Sequence, residues 1–299
     1  MTVMLLQGAV EQGFIYALVA LALFLSYRIL DIADLTTDGT FVLGGAVSAV
    51  LCAAGHPWLG LALGFAAGMA AGFVTAFLHT RLGVQAILAG IITMTGLYTV
   101  NLWTMGNRAD LPLLKVNTVF TFAQSVFGQS FGKLALAALI ALAAGGALAA
   151  FLKTQLGLSI RATGDNRAMV SASSIDPAFT ITVGMCIANG LTALSGGVLA
   201  QYQMSSSMSL GTGVVVIGLA SLIIGEVIVR RGGVVRGVAA AILGSIVYRV
   251  LMVFALRTSA NPSNLKLISA VIVAVAISWP ALTGWLRLAR RKAAAKGGK

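Results

Sequence analysis

Apolar runs of about 20 residues recur along the whole chain, separated by short polar breaks, and that is the length a helix needs to cross a hydrocarbon core of about 30 Å. Of the 299 residues, 59% are hydrophobic and only 9% are charged, with a mean hydropathy of +0.97. A soluble domain carries roughly a quarter charged residues, so lipid must cover this chain. A transmembrane barrel would alternate polar and apolar positions in segments of about 10 residues, and no such alternation is seen. The reading is an all-α, polytopic transmembrane helical bundle.

The pattern predicts nine spans, near 11–28, 40–55, 58–78, 84–105, 133–152, 178–200, 209–229, 237–256 and 266–286. The second is short, and Gly39, Gly44 and Gly45 near its start predict a broken or half-depth helix. The first fourteen residues hold no Lys or Arg and lack the basic flank of a secretory signal, so the first span is expected to stay in the mature protein.

Lysine and arginine positions orient these spans. The breaks on the side of the C-terminus hold Arg28, Arg81, Lys153, Arg161, Arg167, Arg230, Arg231, Arg236 and the six basic residues from Arg287 to Lys299. The other side holds Arg108, Lys115, Lys133, Arg249, Arg257 and Lys266. Positive residues concentrate in the cytoplasm, so the C-terminus is expected there and the N-terminus outside. The net charge of +12 is explained by these flanks. No basic stripe interleaved with aromatics occurs, and nucleic acid is excluded as a partner.

One break is unlike the others. Residues 153–177 read KTQLGLSIRATGDNRAMVSASSIDP, a polar island between two spans. It is too short for a domain and long enough for a short helix that a partner could grip. On the opposite side, 106–132 is the largest loop.

Few residues offer chemistry. Asp31, Asp34 and Asp38 punctuate DIADLTTDGTF between the first two spans. Asp38 is placed to cap the helix it begins; alternatively the helix start faces a pathway, with Thr36 and Thr37 adding hydroxyls. Arg249 lies about two turns inside its span, where it either snorkels to the surface or meets an anionic group of a solute. Asn101 and Asn189 are polar side chains in apolar runs, suited to interhelical hydrogen bonds. Glu226 and Arg230 have the spacing of a helical ion pair. Cys52 and Cys186 stand apart in apolar runs and read as small buried hydrophobes. The spacings Gly60-Leu-Ala-Leu-Gly64 and Gly68-Met-Ala-Ala-Gly72 let helices approach closely, within the chain or in a dimer.

Catalytic signatures are missing. Gly128-Gln-Ser-Phe-Gly132-Lys133-Leu134 has too short a glycine spacing for a P-loop, and Leu where a magnesium-binding hydroxyl belongs. His56 and His79 stand alone, and no metal motif is present. Intramembrane acids are too few for a proton relay, so energy for transport would come from a partner.

The island GLSIRATGDNRAMVSASSID resembles the cytoplasmic coupling segment of ABC importer permeases of the branched-chain amino acid/ribose type. The matching positions are Gly157, Arg161, Ala162, Gly164 and Asn166, with Asp165 between them and Ile175 closing the segment. ANGLTALSGGVLAQYQ at 188–203 and LDIADLTTDGTFVLGGAVSA near the start are also similar to that family. So is the pattern formed by Tyr248, Arg249 and Leu265–Val271, which points to the subfamily of amino acid, in some cases aromatic amino acid, importers. One departure stands out: Ser174 precedes Ile175 where the family often has glycine.

The resemblance implies a single permease domain over 1–299 that hydrolyses nothing and holds no cofactor, with ATP and magnesium on a separate ATP-binding subunit. That subunit would grip the island, with Arg161 and Arg167 facing its acids and Gly164 permitting the turn into the helix. The resemblance also implies a second permease copy and a periplasmic or lipoprotein substrate-binding protein near 106–132 and 257–265. The setting would be the bacterial inner membrane. The pathway candidates are Thr36, Thr37, Asp38, Asn101, Asn189 and Arg249, and the solute would be an amino acid. Two other classes compete: an ion-driven secondary transporter, and a channel or membrane scaffold without an ATPase.

Overall fold

A computed structural model describes residues 2–258, apart from 115, 130, 230 and 231, together with 271 and 274. Among the described residues, eight helices are long and apolar enough to cross a membrane. They correspond to the first eight expected spans. The ninth, 266–286, falls outside the described residues apart from isolated positions.

In chain order the helices are α1 (Thr2–Leu23), α2 (Thr36–Ala53), α3 (Pro57–Thr80), α4 (Ala86–Thr104) and α5 (Val119–Phe127). Then follow α6 (Gly132–Phe151), α7 (Gln155–Asp165), α8 (Arg167–Ala172), α9 (Pro177–Gln203), α10 (Val214–Val229) and α11 (Val234–Thr258). The only strands among the described residues are β1 (Asp110–Pro112) and β2 (Ser205–Ser207), an antiparallel pair with Leu111 opposite Ser206. This pair ties the largest loop to the end of α9.

The spans of α1, α2 and α9 are 72–78% buried and form the centre, whereas α4 is 28% buried and lies at the edge. Glycines set the spacing around the centre. A Cβ at Gly44 would overlap the Ala193 carbonyl, and one at Gly196 would overlap the Phe41 carbonyl, so α2 and α9 touch backbone to backbone. Gly60 and Gly64 of α3 face α2, whereas Gly68 and Gly72 face α9. The G-x-x-x-G spacings thus serve packing within the chain.

The interruption expected within the second span lies just ahead of it. Helix α1 runs into a π-helical turn, Phe24–Ile29, and the chain is irregular from Leu30 to Leu35 with Asp31 left-handed at φ +56°. Helix α2 itself is short, at 18 residues, but continuous. Its glycines mark close approach of neighbouring helices rather than a break.

A second irregular stretch enters the bundle. After α9 the chain turns at Met204 and runs back along α2, with Ser206 against Gly45 and Gly211 against Asp38. Helix α10 therefore starts inside the bundle and has 16 residues, about 24 Å at 1.5 Å per residue. Non-helical backbone at that depth is tolerated where protein buries it or where it lines a wet cavity.

Candidate functional site: a cavity beside Asp38 and a polar two-helix knob

Helix α2 presents four of its backbone N–H groups without helical partners, as any helix start does. Asp34 meets the first: its Oδ1 accepts from the Thr36 N–H at 2.9 Å. Its Oδ2 accepts from Asn189 Nδ2 on α9 at 2.6 Å. The Thr40 hydroxyl reaches both the Thr36 carbonyl and Asn189 Oδ1 at 2.7 Å, and Thr36 shares a hydroxyl contact of 2.8 Å with Thr75 on α3. Thr37 donates to the Asp34 carbonyl at 3.2 Å. All of these residues are buried, Asp34 at 3% exposure. Burial pushes the Asp34 carboxyl above its ordinary value, and the donors from Thr36 and Asn189 pull it part of the way back.

Thr36, Thr37 and Asn189 therefore join a network that pins the start of α2 to α3 and α9. Asn189 makes the interhelical bond its setting suggested. Asp34, Thr40 and Thr75 complete the network. The sequence signal for them is the four-residue spacing from Thr36 to Thr40, which puts two hydroxyls on one face.

Asp38 does not cap its own helix, contrary to the capping expectation. Helix α2 begins two residues earlier, so Asp38 sits in its first turn and points outward to a neighbour. Its Oδ2 accepts from the Gly213 N–H at 3.0 Å and its Oδ1 from the Val215 N–H at 2.9 Å. It caps α10, where a carboxylate also complements the helix dipole.

Beside Asp38 opens a cavity of about 350 Å³ between α2, α4 and Met208–Thr212. Its walls include Met94, Thr95, Tyr98, Asn101 and Met208. Asn101 is 1% exposed; its Nδ2 donates to the Gly39 carbonyl at 3.1 Å, and its Oδ1 has no hydrogen-bond partner among the described residues. The structure thus brings Asp38 and Asn101 together on one cavity. Sequence reading did not single out Thr95, Tyr98 or the methionines, which resemble any other residues of an apolar span.

Arg249 lies elsewhere. Its guanidinium stacks on the Tyr16 ring, 3.6 Å from the centroid, and its buried Nε finds no acceptor among the described residues. Tyr16 in turn stacks on Phe41 at 5.7 Å. Arg249 is not among the residues that line the cavity. Glu226 pairs with Arg28 at 2.9 Å; its expected partner Arg230 falls outside the described residues. Both cysteines are free, Cys52 buried and Cys186 half-buried.

The island forms two short helices, α7 and α8, hinged at Asn166. Thr154 caps α7 through the Gly157 N–H, and Asn166 caps α8 through the Met169 N–H at 3.1 Å. Gly157 packs on Phe151 and Leu152, so close that a Cβ would overlap them. Gly164 is helical and carries no turn, contrary to expectation. A Cβ there would overlap the Ile29 carbonyl, so its smallness seats α7 on the π-helical end of α1. Arg161 and Asp165 line a second cavity of about 290 Å³ with Arg28 and Gly232. Ala162 is half-buried and Arg167 exposed. Ser174 is left-handed at φ +60°, the conformation that favours glycine. The Ile175 N–H reaches back to the Val170 carbonyl at 3.3 Å, the closing bond of a glycine-type helix end. The end of α8 is therefore built as a glycine would build it, with serine in its place.

Comparison with known proteins identifies the family. The sequence model of the family described as branched-chain amino acid transport system, permease component, matches residues 5–288. A tyrosine transport system permease protein of Clostridioides difficile is 32% identical over 290 residues, covering 97% of this chain and 94% of that protein. An uncharacterized protein of Rickettsia prowazekii is 31% identical over 281 residues, covering 90% and 95% of the two chains. No solved structure matches. Members of this family work with an ATP-binding subunit and a substrate-binding protein, and are not themselves enzymes. With eight apolar helices and a polar two-helix knob among its described residues, and a match to the family's sequence pattern over residues 5–288, the chain belongs to the branched-chain amino acid transport permease family and is the multi-pass membrane subunit of an ATP-driven importer.

Proposed function

We propose that the chain moves an amino acid with an aromatic or large apolar side chain across the bacterial inner membrane, as one of two copies in a lipid-embedded complex. The end bearing α7 and α8 faces the cytoplasm, the N-terminus faces outside, and residues 1–299 act as one permease domain. A periplasmic or lipoprotein substrate-binding protein delivers the solute to the face that carries 106–132. ATP and magnesium stay on the partner ATPase, and this chain holds no cofactor. The excess of Lys and Arg on the island side supports the orientation. The C. difficile relative, named for tyrosine transport, supports the solute class.

The observation that carries this reading is the seat of α7 on α1. Gly164 meets the Ile29 carbonyl directly, and Leu30 follows within van der Waals reach of Gly184 on α9. A push on α7 is thus delivered to the irregular segment Leu30–Leu35, which ends in the Asp34 network at the start of α2. Gly157, Arg161, Ala162, Gly164, Asp165, Asn166 and Ile175 form this coupling unit, with Arg161 and Arg167 pairing with acids on the ATPase. Nucleotide then biases two packings of the bundle, open outward or inward.

Co-purification with a co-expressed ATP-binding subunit of this importer family tests this. Recovery of ATPase with the wild type and its loss in Arg161→Glu support the reading. Recovery in both moves the contact away from Arg161. Solute uptake driven by an ion gradient without any ATPase overturns it.

A further inference from the structure

We propose that the cavity between α2, α4 and Met208–Thr212 holds the ammonium group of the transported solute, with Asp38 and Asn101 as its acceptors. The inference rests on the amino acid importer reading above and names the residues that grip the solute.

The polar groups are the first argument. The Gly213 and Val215 N–H groups each bind one oxygen of Asp38. An ionised carboxylate has about four acceptor sites, so two remain after these bonds. The two amide bonds fix the carboxylate's orientation before any solute arrives. Asn101 adds a second acceptor, with its amide nitrogen committed to Gly39 and its carbonyl oxygen without a donor among the described residues. A buried acceptor left unmet costs about 1–3 kcal/mol, which a donor brought by a ligand recovers. A primary ammonium offers three donors. No Lys or Arg among the described residues lines the cavity, so the ammonium, not the carboxylate, is the end held.

The remaining wall sets the rest of the solute. Met94 and Met208 give an adaptable apolar surface, and Tyr98 gives an aromatic face. Asp38 lies in the first turn of the short helix α2, and Thr95 and Tyr98 lie near the middle of α4. A half-buried carboxylate within a membrane span belongs on a wet passage rather than against lipid. The volume of about 350 Å³ lies within the range of small-molecule sites. The class of solute is therefore a primary amine on an apolar or aromatic body.

The test is equilibrium binding of labelled L-tyrosine to the purified permease–ATPase complex, without the substrate-binding protein. Competitors are tyramine, which keeps the ammonium, and 3-(4-hydroxyphenyl)propionate, which keeps only the carboxylate. Asp38→Asn is expected to weaken binding about ten-fold, the loss of a charged hydrogen bond. Because Asp38 also caps α10, Thr95→Trp serves as a second variant that fills the cavity and leaves the cap intact; it is expected to abolish binding. Tyramine is expected to compete and the propionate to fail. Affinity unchanged in both variants, equal competition by the propionate, or no saturable binding overturns the proposal. ATP-driven tyrosine uptake by the wild type, measured in vesicles with the binding protein present, separates the two readings. Uptake alongside failed binding sinks the cavity alone, and absence of any amino acid uptake sinks the importer reading of the solute.

Discussion

Asn189 donates to the Asp34 carboxylate at 2.6 Å across a separation of 155 residues, and so joins the centre of α9 to the irregular segment ahead of α2. Hydrogen bonds to charged groups are worth about 1.5–3 kcal/mol, and a buried carboxylate left short of a donor costs at least as much. Asn189→Leu is therefore expected to lower the stability of the detergent-solubilised protein by about 2–3 kcal/mol. The swap Asp34→Asn with Asn189→Asp restores an amide–carboxylate pair and should recover part of that loss. Melting curves for the wild type and the two variants check it; equal loss in the single and swapped variants would show that the pair is not what matters.

Burial raises the Asp34 carboxyl above its ordinary value near 4. The folded protein then binds this proton more tightly than the unfolded chain does. Stability contributed by Asp34 is expected to fall as pH rises from about 4 through the raised value, and to level off above it. Asp34→Asn should flatten that part of the profile. Thermal melting across this window, wild type against variant, gives the answer, and parallel profiles would contradict the assignment.

Gly164 tolerates no Cβ because the Ile29 carbonyl occupies its place. Gly164→Ala is expected to cost about 1–3 kcal/mol, the usual range for overpacking. It should also lower solute-stimulated ATP hydrolysis by the complex. Gly146, exposed on α6 with open space around it, is the control. Gly146→Ala should stabilise by up to about 1 kcal/mol through helix propensity, with hydrolysis unchanged. Equal behaviour of the two variants would remove the seat of α7 from the mechanism.

Ser174 holds a left-handed conformation at the end of α8. That conformation costs an L-residue about 1–2 kcal/mol relative to its right-handed form. Ser174→Gly is expected to stabilise the segment by about 1 kcal/mol, and Ser174→Val to loosen it. Hydrogen exchange at the Ile175 amide, which closes the helix end, reports both effects. Faster exchange in the glycine variant would contradict the reading.

The chain's own order of residues was enough for several conclusions. Spans one to eight follow from the length of apolar runs, because a helix must satisfy its backbone inside lipid whatever surrounds it. The knob at 153–177 was legible for the same reason: a polar segment between two spans can only lie in water. The residues that line the cavity were legible only in part. Asp38 and Asn101 were singled out because polar side chains are rare in such runs, yet Met94, Thr95 and Tyr98 carried no mark.

Partnership was settled by the tertiary structure. Asp38 looked like the cap of its own helix and caps α10, because the chain from Met204 turns back into the bundle and sets Gly213 beside it. Gly164 looked like a turn and is a seat, because the π-helical end of α1 reaches it. Arg249 read either as a snorkelling residue or as a ligand for a solute, and its stacking partner is Tyr16, more than two hundred residues earlier in the chain. Local physics and hydropathy fix which segments are long and apolar enough to enter the membrane. What each polar group touches depends on contacts between segments remote in sequence, and close packing decides those only when the whole bundle is assembled.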